Sequence, residues 1–306
     1  MRIALALGSG GGRGYAHIGV LEALAARGHE VIAVAGTSAG ALVGGLYAAG
    51  RLKEFTAWAT GLTQRDILLM LDPVLGGSGI IRAQRMLDRV SELLDGARIE
   101  ELPLPFTAVA TDLTSQREVW FQHGPVAAAI RASIAIPTVI TPVMLRGHIL
   151  ADGGLMNPVP LDALVGAPAD ATVAVDLNAR GPLSGGRQPV RESSDETTGP
   201  AWLELLRQTA AQLGRPRDNA APEEPPAADD RSLQDPPRDL KATDVLTMSL
   251  NAGQALVTRF RTAANPPDVW VNVPVDSRGV LDFLRAGEQI ALGRELADAA
   301  LAAAGL

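Results

Sequence analysis

In the stretch "GTSAG", Ser38 is the one residue that could do chemistry, flanked by small neighbours between Gly36 and Gly40. The apolar run "VIAVAG" leads into it, and "AGALVGGLYAAG" follows with a helical pattern. A serine on a tight strand-to-helix turn is the setting of a nucleophile elbow. Small neighbours let the chain cross itself there while the hydroxyl stands clear. The positive end of the following helix lies close to that hydroxyl. The same residues also suit a plain Gly/Ala-rich turn with an incidental serine, and both readings stay open at this point.

A hydroxyl is a weak nucleophile until a base takes its proton. A Ser–acid–His order would require Asp112 and then His148. His148 in "RGHIL" and His123 in "FQHGP" are both expected in exposed turns, so a histidine triad is disfavoured. The better base is Asp152 in "ADGG", which closes a strand and precedes Gly153 and Gly154. Two glycines permit a tight turn and close backbone approach. Asp-Gly is also a common simple turn. A carboxyl with the ordinary pKa of about 3.9 is a poor base toward serine. The site must therefore desolvate the carboxylate or stabilise the oxyanion strongly.

A source of that stabilisation is "GSGGGRG", Gly8 to Gly14, between the first strand and the first helix. Successive glycines let backbone N–H groups converge on one anion at a helix N-terminus. The anion is either the oxyanion of acyl transfer or a phosphate. The stretch lacks the Lys-Ser/Thr ending of an ATP-type phosphate loop. Glu30 precedes the second strand instead of closing it, which weakens a dinucleotide reading. Arg13 brings a positive charge to the loop or serves as a packing residue.

These residues need strands and helices to carry them. "RIALALG", "VIAVAG", "FTAVATDL", "EVWFQ", "ATVAVDL" and "DVWVNVPV" read as strands, and "TPVMLRGHILADGG" as a hairpin. Helices are expected in "YAHIGVLEALAARG", in "AGALVGGLYAAG", over 53–71 and 83–94, in "PVAAAIRASIAIP" as far as Pro137, over 201–214, over 242–260 and over 281–304. Alternating strands and helices predict one α/β domain over 1–306, a three-layer αβα sandwich with a mostly parallel central sheet. Within it, 179–200 and 214–241 are expected as mobile insertions, because the second is rich in proline and charge and poor in apolar side chains. Near "LDPVLGGSGII", the residues Phe55, Trp58, Leu68, Leu69, Met70 and Leu71 are read as core in preference to an acyl-admitting rim.

Bulk properties exclude several classes. The 306 residues carry a net charge of −7 and no cysteine. Nucleic acid is therefore not an expected partner, and a thiolate nucleophile or disulfide is ruled out. The N-terminus reads as a strand and not as a signal peptide. No apolar stretch is long enough to span a bilayer. A cytoplasmic protein follows, with at most transient peripheral contact at membranes.

Taken together, "LALGSGGGRGYAHIGVLEAL", "AGTSAGALVGGLYAAG", "FTAVATDL", "AIRASIAIPTVITPV", "DGGLMNPVP" and "VAVDLN" resemble the patatin-like phospholipases. The likeness is strongest to the bacterial branch related to the neuropathy-target-esterase catalytic domain. It implies a patatin-like fold and a Ser–Asp dyad, with the nucleophile on Ser38, the base on Asp152 and the oxyanion loop on Gly10, Gly11, Gly12 and Arg13. It implies serine-esterase hydrolysis of phospholipid or lysophospholipid acyl esters, without metal or other cofactor. Ser9 departs from the family, which often has glycine there. The alternative is a regulatory or scaffold protein that kept the fold with little activity. The sequence does not indicate the oligomeric state.

Overall fold

The computed structural model describes residues 1–72, 79–179, 236–237, 240, 242–279 and 282–306. The expected insertions and the helix over 201–214 lie almost wholly outside the described residues. One compact unit comprises Met1–Gly181 and Ala242–Leu306.

Its centre is a mixed, mostly parallel sheet. Strands β1 (Arg2–Leu7), β2 (Glu30–Thr37) and β4 (Phe106–Asp112) carry the first half of the sheet. Strands β9 (Ala171–Ala179) and β10 (Val269–Pro274) extend it on the far side of β1. The order runs β10-β9-β1-β2-β4, all parallel. The hairpin β7 (Val143–Leu145) and β8 (His148–Asp152) joins β4 antiparallel, as does β5 (Arg117–Phe121). Strands β3 (Gly79–Ile81) and β6 (Thr138–Ile140) form a separate two-stranded parallel pair that no sequence pattern signalled.

The period of two along β1 divides the molecule into layers. Ile3, Leu5 and Leu7 enter the main core beneath helices, whereas Ala4 and Ala6 face the other side with Ala33, Ala35 and Ala174. The main core is covered by α1 (Ala16–Ala26), α2 (Ala39–Ala48), α3 (Leu52–Thr60), α5 (Gln84–Leu94), α6 (Val126–Ser133) and the last helix, α8 (Ala286–Ala303). The alanine-lined face lets short cover approach closely, and Val159, Leu161 and Leu164 pack there. Helix α7 (Ala242–Ala264) is tied to that side by Arg261, which donates to the Met156 carbonyl at 3.0 Å and pairs with Glu118 and Asp162.

Several helix boundaries differ from the sequence reading; α7, expected to end at Phe260, runs to Ala264. The helix expected over 53–71 is two, α3 and α4 (Gln64–Leu71), interrupted at Gly61. Thr63 caps α4: its side chain accepts from the Asp66 N–H, and Asp66 accepts from the Thr63 N–H, a capping box that starts a new helix. Helix α6 ends at Ser133, four positions before Pro137. The last helix begins at Ala286 rather than Leu281. Among the described residues no helix is long and apolar enough to cross a membrane.

Candidate active site

Ser38 and Asp152 lie 114 positions apart in sequence, and strand β4 brings them together. A strand has two edges. On β4, β5 pairs from Ala108 to Asp112 along one edge. The other edge is shared: β2 covers Phe106 to Val109, and antiparallel β8 covers Ala110 to Asp112. Thr37 faces Val109, and Asp152 faces Ala110 in the next place. Two strands thus arrive head-on along one edge. Asp152 fills the position that β2 would take next, so the chain must turn away after Thr37.

That turn is strained. Ser38 has φ of 57°, in the left-handed region that a residue with a side chain avoids. Such geometry costs about 1–3 kcal/mol and persists only where the surroundings enforce it. A Cβ at Gly40 would lie 1.9 Å from the Leu7 carbonyl oxygen, and one at Gly36 would lie 2.3 Å from the Gly40 oxygen. The Ser38 N–H donates to Ser133 Oγ at 2.8 Å, and that hydroxyl donates to the Val109 carbonyl at 2.6 Å. Ser133 is fully buried. It was not singled out from sequence, where its one signal is a small hydroxyl among apolar neighbours in "AIRASIAIP".

Asp152 is buried, and Oδ1 accepts from the Gly154 N–H at 2.7 Å. Burial pushes its pKa up to about 6, against smaller opposing effects from the Ser38 hydroxyl and the Gly154 N–H. The hydroxyl contact is loose: Oδ2 has no hydrogen bond within 3.5 Å. Catalytic contacts often tighten only when substrate binds. A Cβ at Gly153 would lie 2.2 Å from the Val109 oxygen, which explains the glycine after Asp152.

A cleft of about 220 Å³ contains Ser38, Asp152, Gly10 and Gly11. Gly12 does not line it; a Cβ there would strike the Asp282 carbonyl oxygen at 2.3 Å. Among the described residues no hydrogen-bond acceptor takes the N–H groups of Gly10 and Gly11. The Arg13 N–H donates to Gly10 O at 3.3 Å. Its guanidinium donates to Leu177 O, Val275 O, Arg278 O and Asn178 Oδ1. Arg13 therefore clamps the Gly-rich loop to the ends of β9 and β10. His17 supports the same loop: Nε2–H donates to the Gly8 carbonyl at 2.8 Å, and burial drops its pKa to about 4, leaving the ring neutral. Sequence gave no signal for His17 beyond its presence on an apolar helix.

The remaining sequence candidates lie elsewhere. His148 Nδ1 and Asp112 Oδ2 are 2.7 Å apart, so the acid and histidine of the rejected triad do pair. His148 stands four residues before Asp152 on β8, about 13 Å along the strand. Asp112 also accepts from the Thr114 and Ser115 N–H groups, closing the turn after β4. Arg131 donates to the Thr141 carbonyl at 2.7 Å. Asn157 shapes the turn beyond Asp152, accepting from Thr37 Oγ1 through its carbonyl and donating to Glu118 through its amide.

An apolar cavity of about 70 Å³ adjoins the cleft through Gly11 and Ile136, which line both. Phe55, Trp58 and Met70 line it with Tyr15, Leu42 and Phe283. Phe55 is thus both core and cavity wall, since it is buried in the main cluster as well. Leu69 is exposed, and the side chains of Leu68 and Leu71 lie outside the described residues.

The chain belongs to the patatin-like phospholipase family, whose model matches residues 5–165. An uncharacterized NTE family protein of Mycobacterium tuberculosis is 43% identical over 337 residues, covering 99% of this chain and 92% of its own. The mouse patatin-like phospholipase domain-containing protein 7 is 33% identical over 190 residues, covering 58% of this chain and 14% of its own. Among solved structures, VipD from Legionella pneumophila aligns over 99% of this chain and 66% of its own, at 13% identity and a TM-score of 0.45.

Proposed function

We propose that the protein is a serine acyl-ester hydrolase acting on phospholipids or lysophospholipids. Membership of the patatin-like phospholipase family supports lipid acyl hydrolysis. The observation that carries the finer reading is a strained serine facing a buried carboxyl, its pKa pushed up to about 6, in one cleft. Asp152 takes the Ser38 proton as Oγ attacks the ester carbonyl. The N–H groups of Gly10 and Gly11 receive the oxyanion, each such donor being worth about 3 kcal/mol of barrier. The departing alkoxide takes the proton from Asp152. Water then attacks the acyl group, and the Ser38 oxygen regains a proton through Asp152.

A panel of short esters, lysophospholipids and diacyl lipids tests this, run beside fluorophosphonate labelling with the adduct mapped by mass spectrometry. Hydrolysis with the label on Ser38 supports the reading. An inert Ser38 with no hydrolysis would favour a scaffold role.

The cavity sets an expectation for chain length. At about 70 Å³ the cavity takes only a short stretch of an acyl chain. Trp58→Ala removes part of its wall. The ratio of kcat/KM for a dodecanoyl over a hexanoyl ester should rise at least about tenfold, since pocket discrimination per methylene is about 10–200-fold. An unchanged ratio would place the acyl chain elsewhere.

A further inference from the structure

We infer that Ser9 and Gln254 hold the water that releases the acyl group from Ser38, an assignment that rests on the acyl-transfer reading above. Ser9 is 5% exposed, and its backbone is fixed on both sides. Its N–H donates to Pro158 O at 2.9 Å, and its carbonyl accepts from Asn178 Nδ2 at 2.7 Å. Its hydroxyl is buried without a partner and lines the cleft that contains Ser38 and Asp152. A buried hydroxyl that no protein group bonds is unfavourable unless a water or a substrate group bonds it.

Gln254 enters the same cleft from α7, more than 100 positions later in the chain. Gly154 shows how the three groups converge. A Cβ there would lie 2.9 Å from Ser9 Oγ, 3.0 Å from Asp152 Oδ1 and 3.0 Å from Gln254 Nε2. Ser9 Oγ and Asp152 Oδ1 are therefore at most 5.9 Å apart, the sum of the first two distances. One water with two ordinary hydrogen bonds spans about 5.6 Å. Glycine at 154 leaves the space between these groups unobstructed.

The chemistry of the second half-reaction fits this set. Once the alcohol has left with its proton, Asp152 is ionised again. The Gln254 amide donates to the water oxygen. One water hydrogen goes to Ser9 Oγ and the other to the Asp152 carboxylate. The remaining lone pair faces the acyl carbon. As the new C–O bond forms, Asp152 accepts a proton. As the bond from carbon to Ser38 Oγ breaks, that proton passes to the serine oxygen, and the fatty acid departs. The first half-reaction needs no water, so Ser9 and Gln254 act as positioning residues for deacylation only.

The test is rapid-quench loading with a p-nitrophenyl ester, followed by intact-mass measurement of the acyl-enzyme as it forms and decays. In Ser9→Gly and in Gln254→Ala, decay should slow about 10- to 100-fold, the usual effect of misplacing a reactant. Formation should stay within about twofold. Hydroxylamine, a stronger nucleophile that does not depend on a held water, should restore most of the decay rate. Decay at the wild-type rate in both variants, or equal losses in formation and decay, would overturn the assignment. If the wild-type protein forms no acyl-enzyme at all, the acyl-transfer reading fails first and this assignment with it.

Discussion

Ser38→Ala should lose at least about 10⁴-fold in kcat/KM for any ester the protein hydrolyses, and Asp152→Asn about the same. The two residues act as a unit, so the double variant should be no worse than either single one. Neither change should unfold the chain. Ser38→Ala keeps the backbone N–H that bonds Ser133 Oγ, and Asp152→Asn keeps an oxygen for the Gly154 N–H. Circular dichroism and steady-state kinetics check both statements. Activity near the wild-type level in either variant removes that residue from the mechanism.

Asp152→Asn should also be the more stable protein at pH 8. The native carboxyl, with its pKa pushed up to about 6 from 3.8, binds its proton more tightly than the unfolded chain does. The stability that this tighter binding gives is full below about pH 3.8 and is lost as the pH rises through about 6. Above that, a buried charge is held at a cost of about 3 kcal/mol, from roughly two pKa units at 1.36 kcal/mol each. Asparagine carries no such charge. The variant should gain about 3 kcal/mol at pH 8, a rise in Tm of about 5 °C for a chain of this length. Near pH 4 the two proteins should melt together. Urea unfolding at both pH values measures the difference, and equal stability at pH 8 would mean that the carboxylate is well solvated or well paired. Under the proposed mechanism the wild-type protein gives up stability at the position of its base, a pattern expected of functional sites.

The parts of the site that were legible in sequence are those governed by local sterics. The elbow at Ser38 could be read because Gly36 and Gly40 are forced by backbone approach within a few residues. The alternation of strand and helix segments along the chain similarly disclosed a mostly parallel sheet. What stayed hidden depends on long-range register. Nothing in "FTAVATD" indicates that one edge of that strand is divided between β2 and β8. Arg13 could be read as charge for an anion or as a packing residue; four distant acceptors take its guanidinium, and their position depends on how β9 and β10 pair. Gln254 sits in an ordinary helical pattern, and only the tie of Arg261 to Met156, Glu118 and Asp162 brings that helix over the cleft. The break at Gly61 was available in "TQRD", where Thr63 and Asp66 have capping-box spacing, and the apolar periodicity across it concealed the signal.

The most direct test of the central claim, that a buried Asp152 activates Ser38, is the rate of fluorophosphonate labelling of Ser38 from pH 4 to pH 9. Labelling should rise tenfold per pH unit at the acid end and level off with a midpoint at about 6, the carboxyl's raised pKa. In Asp152→Asn the rate should be low and flat across the range. A wild-type rate independent of pH from 4 to 8, or a variant that keeps the full wild-type profile, would contradict it.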